Sequence, residues 1–252
     1  MNNSDTKNFA TKNFARADDH FEGEQEHFAR DCNCFARDYL DEICSKYKHA
    51  IFDMDGTLID SMPVWKDSAR RFLRSQGIDA SANLNEILFA LSMKQGAKYI
   101  QETYLPTFTL LQIKEGIENV VRSGYEKTIP LKNGVYEFLS DLKNRGVNCA
   151  VATSSDISLV KVGLERLNIA QFFDEFFTCN QMQTSKDLPD IYIEAAKFLG
   201  GNKNDTIVFE DAIQPCRTVS KAGFALAAIQ DEFSNNDWNE ICSIATYAFC
   251  GY

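Results

Sequence analysis

The short apolar run Ala50-Ile51-Phe52 ends abruptly in Asp53-Met54-Asp55-Gly56-Thr57-Leu58. A buried strand accounts for the apolar residues, but burial gives no reason for two carboxylates at its very end. Side chains two apart on an extended segment point the same way, so Asp53 and Asp55 can converge on one bound group. Gly56 lets the backbone turn sharply just beyond them. A carboxylate is ionised near neutral pH, so Asp53 can attack phosphorus and form an acyl-phosphate that water later cleaves. Asp55 can protonate the leaving alkoxide and then take a proton from the attacking water. The chemistry suited to this pair is phosphoryl transfer through a covalent intermediate.

Further polar groups close later apolar runs. Thr153-Ser154 follows residues 147–152, where a hydroxyl and a free backbone N–H can hold phosphate oxygens at the head of the next helix. Glu210-Asp211 follows residues 206–209, and two adjacent carboxylates repel unless a cation lies between them. Between these runs, Lys186 can bring a fixed positive charge to a phosphate and to a nucleophile.

The elements that must position these groups follow from periodicity. Residues 50–52, 147–152, 176–179, 206–209 and 224–229 read as buried strands, with helical spacing over 135–144, 156–167, 190–199 and 215–222. Strands alternating with helices predict an α/β fold, a Rossmann-like parallel sheet flanked by helices, in which ligands gather at the carboxyl ends of the strands. Between the first two strands the spacing is helical throughout: 63–76, then 87–90 behind an Asn83/Glu86 capping box, 96–104 and 110–125. Residues 63–129 are therefore expected to form an inserted α-helical cap over a core made of 47–62 and 130–252. Lys94, in a turn between cap helices, is the expected substrate contact from the cap. Residues 1–46 differ in character, with Phe14, Phe21, Phe28 and Phe35 seven apart. The first ~30 residues read as a solvated extension and 35–47 as a helix leading into the core.

Composition narrows the functional classes. A chain of 252 residues, 44% hydrophobic and 25% charged, matches a soluble globular protein able to bury a large core. A formal net charge of -10 disfavours nucleic acid and anionic membrane surfaces as partners. The chain has no run of apolar residues long enough to span a bilayer and no signal-peptide pattern at its amino terminus, so a cytoplasmic monomer acting on a small phosphorylated metabolite is expected. The eight cysteines contain no Cys-x-x-Cys pair and read as reduced and mostly buried. Cys32-x-Cys34 with His20 and His27 matches no standard zinc spacing. All three histidines precede Asp53, which weakens every serine-hydrolase or zinc-hydrolase reading.

Asp53-Met54-Asp55-Gly56-Thr57-Leu58 resembles the first motif of the haloacid dehalogenase superfamily in its phosphatase form. Val151-Ala152-Thr153-Ser154-Ser155, Lys186-Asp187-Leu188-Pro189-Asp190-Ile191 and Val208-Phe209-Glu210-Asp211-Ala212 resemble the second, third and fourth motifs. With a helical insert after the first motif, the chain looks most like the beta-phosphoglucomutase-like branch. The resemblance implies a phosphatase acting on a sugar phosphate or similar small phosphomonoester, with Asp53 as nucleophile, Asp55 as acid/base, and Thr153 and Lys186 on the phosphate. It also implies magnesium held by the Asp53 carboxylate, the Asp55 backbone carbonyl and Asp211, with Glu210 binding directly or through water. An all-oxygen ligand set suits magnesium better than zinc.

The chain departs from the family pattern at Asp187, where proline is common and where a carboxylate could compete for the cation, and at Pro215 and Cys216. Asp55 argues against a dehalogenase, whose relatives lack the second aspartate. A phosphomutase and a catalytically silent binding protein using the amino-terminal extension are the alternatives.

Overall fold

The structure, a computed structural model, describes residues 34–89 and 91–252. His20, His27, Cys32, the first three of the heptad phenylalanines and the expected extension over the first ~30 residues lie outside it.

After one helical turn at Ala36–Tyr39, helix α1 (Leu40–Lys46) leads into strand β1 (His49–Phe52). Four helices follow: α2 (Met62–Ser75), α3 (Leu84–Phe89), α4 (Met93–Thr103) and α5 (Leu110–Lys127). The remainder alternates: α6 (Val135–Asn144), β2 (Asn148–Thr153), α7 (Ile157–Arg166), β3 (Glu175–Thr178), α8 (Cys179–Met182), α9 (Asp190–Phe198), β4 (Thr206–Glu210), α10 (Ile213–Ala222), β5 (Ala225–Ile229), α11 (Trp238–Ile244) and β6 (Tyr247–Phe249).

The six strands form one sheet in the order β3-β2-β1-β4-β5-β6, every pair parallel. Alternate residues of each strand face opposite layers. Ala50, Phe52, Val151, Ile207 and Phe209 join a cluster with α1, α6 and α7. Ile51, Ala150, Ala152, Val208 and Leu226 join a second one with α9, α10 and α11. Both faces are thus covered, which explains why these strands read as continuous apolar runs. The strand order reverses at β1, which pairs with β2 on one side and β4 on the other, and ligands bind at such a switch point in open parallel sheets. The register Phe52↔Phe209 stacks the two rings with centroids 4.4 Å apart and brings Asp53 level with Glu210.

Helices α2 to α5 hold an apolar cluster of their own, including Phe72, Leu73, Ile100 and Ile113. Val64, Val121 and Tyr125 from the same helices pack instead into the cluster below the sheet. α4 begins at Met93, ahead of the glycine expected to open it, because Ser92 and Gln95 form a reciprocal capping box that satisfies the first turn. Lys94 consequently lies in the first turn of that helix and is exposed, where the sequence suggested a turn. At the other end of the chain, α11 and β6 extend the sheet beyond the last strand that periodicity indicated. Residues 34–46 join this edge: Ala36 N donates to Gly251 O at 2.9 Å and Cys250 N to Cys34 O at 2.9 Å, while Ile43 is fully buried. Cys149, Cys179 and Cys216 are buried, and burial pushes the Cys149 thiol up to about 12.

Candidate active site

Asp53 is the first residue past β1, and its N–H still donates to Phe209 O at 2.9 Å, so the strand ladder itself sets it beside the end of β4. There Glu210 and Asp211 are also buried, and ligand oxygens of Asp53, Glu210 and Asp211 lie within 4.8 Å of one another. Gly56 permits this approach. Its φ is +83°, and a Cβ there would stand 2.3 Å from Asp211 Oδ2. Thr57, one residue on, donates its hydroxyl to Asp211 Oδ1 at 3.1 Å.

Lys186 enters from the loop between α8 and α9 and is buried. Its Nζ donates to Asp53 Oδ1 and, at 2.7 Å, to Glu210 Oε1, the oxygen that also accepts the Tyr192 hydroxyl at 2.7 Å. Burial alone would strip charge from Lys186, but the attraction of Asp53 and Glu210 outweighs it and holds the ammonium protonated. Asp187, expected to compete for this cation, is exposed and instead accepts the Ser185 hydroxyl at 3.3 Å.

Three buried carboxylates against this one lysine leave an excess of negative charge. Burial raises Asp53 to about 7, with Lys186 opposing the shift and Glu210 adding to it. Asp211 stands well above the ordinary carboxylate range for the same first reason, with the charges of Asp53 and Glu210 next. A divalent cation among these oxygens would supply the missing charge, and the donor set fits a hard metal ion.

Asp55 is half-buried and does not join the cluster. Its carboxylate is held by three hydroxyls: Ser61 on Oδ1 at 2.6 Å, Ser155 on Oδ2 at 2.5 Å, and Tyr125, also on Oδ1. Trp65 Nε1 in turn donates to the Tyr125 hydroxyl at 3.2 Å, and burial, then the charge of Asp55, keeps that phenol protonated. Tyr125 and Trp65 come from α5 and α2, so two helices of the insert reach down to the second aspartate.

Thr153, at the end of β2, is buried, and its Oγ1 accepts Ser155 N–H at 3.1 Å. Ser154 is exposed, with its hydroxyl 3.7 Å from Cys179 Sγ. Lys94 lies on the wall of a separate cavity between the helices of the insert. Sequence reasoning passed over Ser61, Tyr125 and Tyr192. Tyr125 and Tyr192 sit in segments whose apolar spacing accounts for them as packing, Ser61 lies just ahead of the helical run at 63–76, and nothing local marks these hydroxyls.

Residues 50–229 match the family of haloacid dehalogenase-like hydrolases. The chain belongs to that family. This hydrolase is 27% identical over 180 residues to a phosphorylated carbohydrates phosphatase of Thermotoga maritima, covering 69% of this chain and 80% of the relative. It is 28% identical over 167 residues to hexitol phosphatase B of Escherichia coli strain K12, covering 65% and 75%. Among solved structures, a putative beta-phosphoglucomutase from Thermotoga maritima superposes with a TM-score of 0.72 at 23% identity, over 80% of this chain and 93% of the other. The expected fold and a phosphoric monoester hydrolase of this family both agree with these matches. No helix among the described residues of the hydrolase is long and apolar enough to cross a membrane.

Proposed function

We propose that this hydrolase is a magnesium-dependent phosphatase that cleaves a small phosphomonoester through an aspartyl-phosphate on Asp53. The observation that carries the reading is the meeting of Asp53, Glu210 and Asp211 within 4.8 Å, with Lys186 bonded to two of them. The names of its relatives favour a phosphorylated carbohydrate or a compound of similar size.

Lys186 occupies one oxygen of Asp53 and leaves the other free to attack phosphorus. The new P–O bond forms to Asp53 as the ester P–O bond breaks, and Asp55 gives its proton to the leaving alkoxide. Water then attacks the phosphorus of the acyl-phosphate, Asp55 takes its proton, and phosphate and the free carboxylate result. Ser61, Ser155 and Tyr125 hold Asp55 in one orientation for both transfers. Thr153 and Ser154 at the end of β2 would hold phosphate oxygens, with Lys186 adding positive charge as the transition state spreads negative charge over them. Magnesium, held by Asp53, Asp211, Glu210 and the Asp55 carbonyl, would neutralise phosphate charge.

The test is phosphate release from an aryl phosphate by the full chain. Release is expected with magnesium and is expected to fall by about a thousandfold or more in Asp53→Asn. Equal release from wild type and variant would sink the covalent mechanism. Interconversion of glucose phosphates without release would instead identify a phosphomutase.

A further inference from the structure

Tyr252 lies just past β6, and its neighbours fix where its side chain stands. Ala36 N donates to Gly251 O at 2.9 Å and Phe35 pairs with Gly251 as an isolated bridge, so the segment ahead of α1 holds this stretch of backbone. At the head of α6, Gly134 lies so close that a Cβ there would stand 2.7 Å from Tyr252 O. The ring packs against Phe138 with centroids 5.1 Å apart and stacks on Phe209 at 6.3 Å and 27°. Phe209 directly precedes Glu210 and Asp211, so the ring stands at the carboxyl end of β4, beside the three carboxylates.

Tyr252 is 6% exposed, and its hydroxyl is sealed from solvent with no hydrogen-bond partner among the described residues. A buried hydroxyl left unmet costs free energy. Phenylalanine would fill the same space without that cost, as it does at Phe52, Phe138 and Phe209 in the same cluster. Burial first, then the charges of Asp211, Asp53 and Glu210, holds the phenol above its ordinary range, so it keeps its proton and can donate. Asp211 leads those charges, and among the described residues it takes one side-chain hydrogen bond, from Thr57 on Oδ1.

We propose, resting on the magnesium-dependent reading, that the Tyr252 hydroxyl donates to an ordered water whose other partner is the Asp211 carboxylate, and so positions Asp211 for the cation. A buried water needs two or more polar partners, and a phenol donor with a carboxylate supplies them. Carboxylates that hold a metal are themselves held by outer hydrogen bonds, which fix how their oxygens meet the ion. Thr57 does this for Asp211 directly, and Tyr252 does it at one remove. Tyr252 is thus a positioning residue, with no hydrogen bond to the nucleophile.

The experiment titrates magnesium alone into the full chain and reads Tm, in wild type, Tyr252→Phe and Asp211→Asn. The titration is repeated with manganese, counted by its EPR signal. Tyr252→Phe keeps the ring against Phe138 and Phe209 and removes only the hydroxyl. Its Tm without metal is expected to stay close to that of wild type, while the Kd for either ion rises by about tenfold or more. Asp211→Asn sets the signal expected when the site itself is lost. An equal Kd in wild type and Tyr252→Phe would overturn the proposal and leave the magnesium reading standing. A lower Tm without metal at an unchanged Kd would give the hydroxyl a structural role alone and overturn the proposal too. Failure of wild type to bind either ion would overturn the magnesium reading and the proposal with it.

Discussion

The hydroxyl of Tyr125 crosses 70 positions of sequence to reach Asp55, and with Ser61 and Ser155 it leaves that carboxylate little freedom to rotate. Removing one of three donors loosens the proposed acid/base, Asp55, without touching the proposed nucleophile, Asp53. Tyr125→Phe is therefore expected to lower kcat by about tenfold with KM little changed, measured by steady-state phosphate release. An unchanged kcat would show that the two serines suffice. At this scale the charged groups were legible and their neighbours were not. Asp53, Glu210 and Asp211 stand out because burial never asks for carboxylates at the ends of apolar strands. Tyr125 and Tyr192 sit at helical spacing among apolar residues, where an aromatic ring needs no further explanation, so their hydroxyls carried no signal. The motif departure at Asp187 read as a rival for Lys186, but the loop turns that side chain outward.

Helices α2 and α5 hold the inserted segment together and carry Trp65 and Tyr125 toward Asp55. Their contact depends on Gly116, where a Cβ would lie 2.1 Å from the Phe72 ring. Gly116→Ala must push α5 away from α2 or rotate that ring, a cost of about 1–3 kcal/mol. Thermal unfolding is expected to show that loss. Magnesium binding is expected to persist, because the carboxylates stand at the carboxyl ends of β1 and β4. The main helices and strands were readable because each must bury one face, and that demand writes a period into the chain. Their limits were less so. Gly96 looked like a start because glycine is a poor interior residue, yet it is buried with Leu88 Cδ2 3.3 Å from where a Cβ would sit. The capping box at Ser92 and Gln95 outweighs its low propensity. β6 escaped notice because three residues are too few to show alternation.

Across the whole molecule, the same buried negative charge that suits the site for a cation works against the empty fold. On the proposed function magnesium would bind the folded chain alone, so at a hundredfold excess over its Kd it would add about 2.7 kcal/mol. For a chain of this size that raises Tm by on the order of 5–10 °C, and Asp211→Asn is expected to abolish most of the rise in a thermal scan. A shift equal in wild type and variant would place the ion elsewhere. The sequence by itself determined the alternation of strands and helices, the helical insert after the first strand, and which charged residues stand at strand ends. Those properties are local, since each follows from what one short segment must bury or expose. Only the tertiary structure decided that Lys186 pairs with both Asp53 and Glu210, that three hydroxyls from separate segments close on Asp55, and that a cavity opens among the helices of the insert. Those depend on how finished elements pack, a sum of many weak contacts that no single stretch of residues encodes.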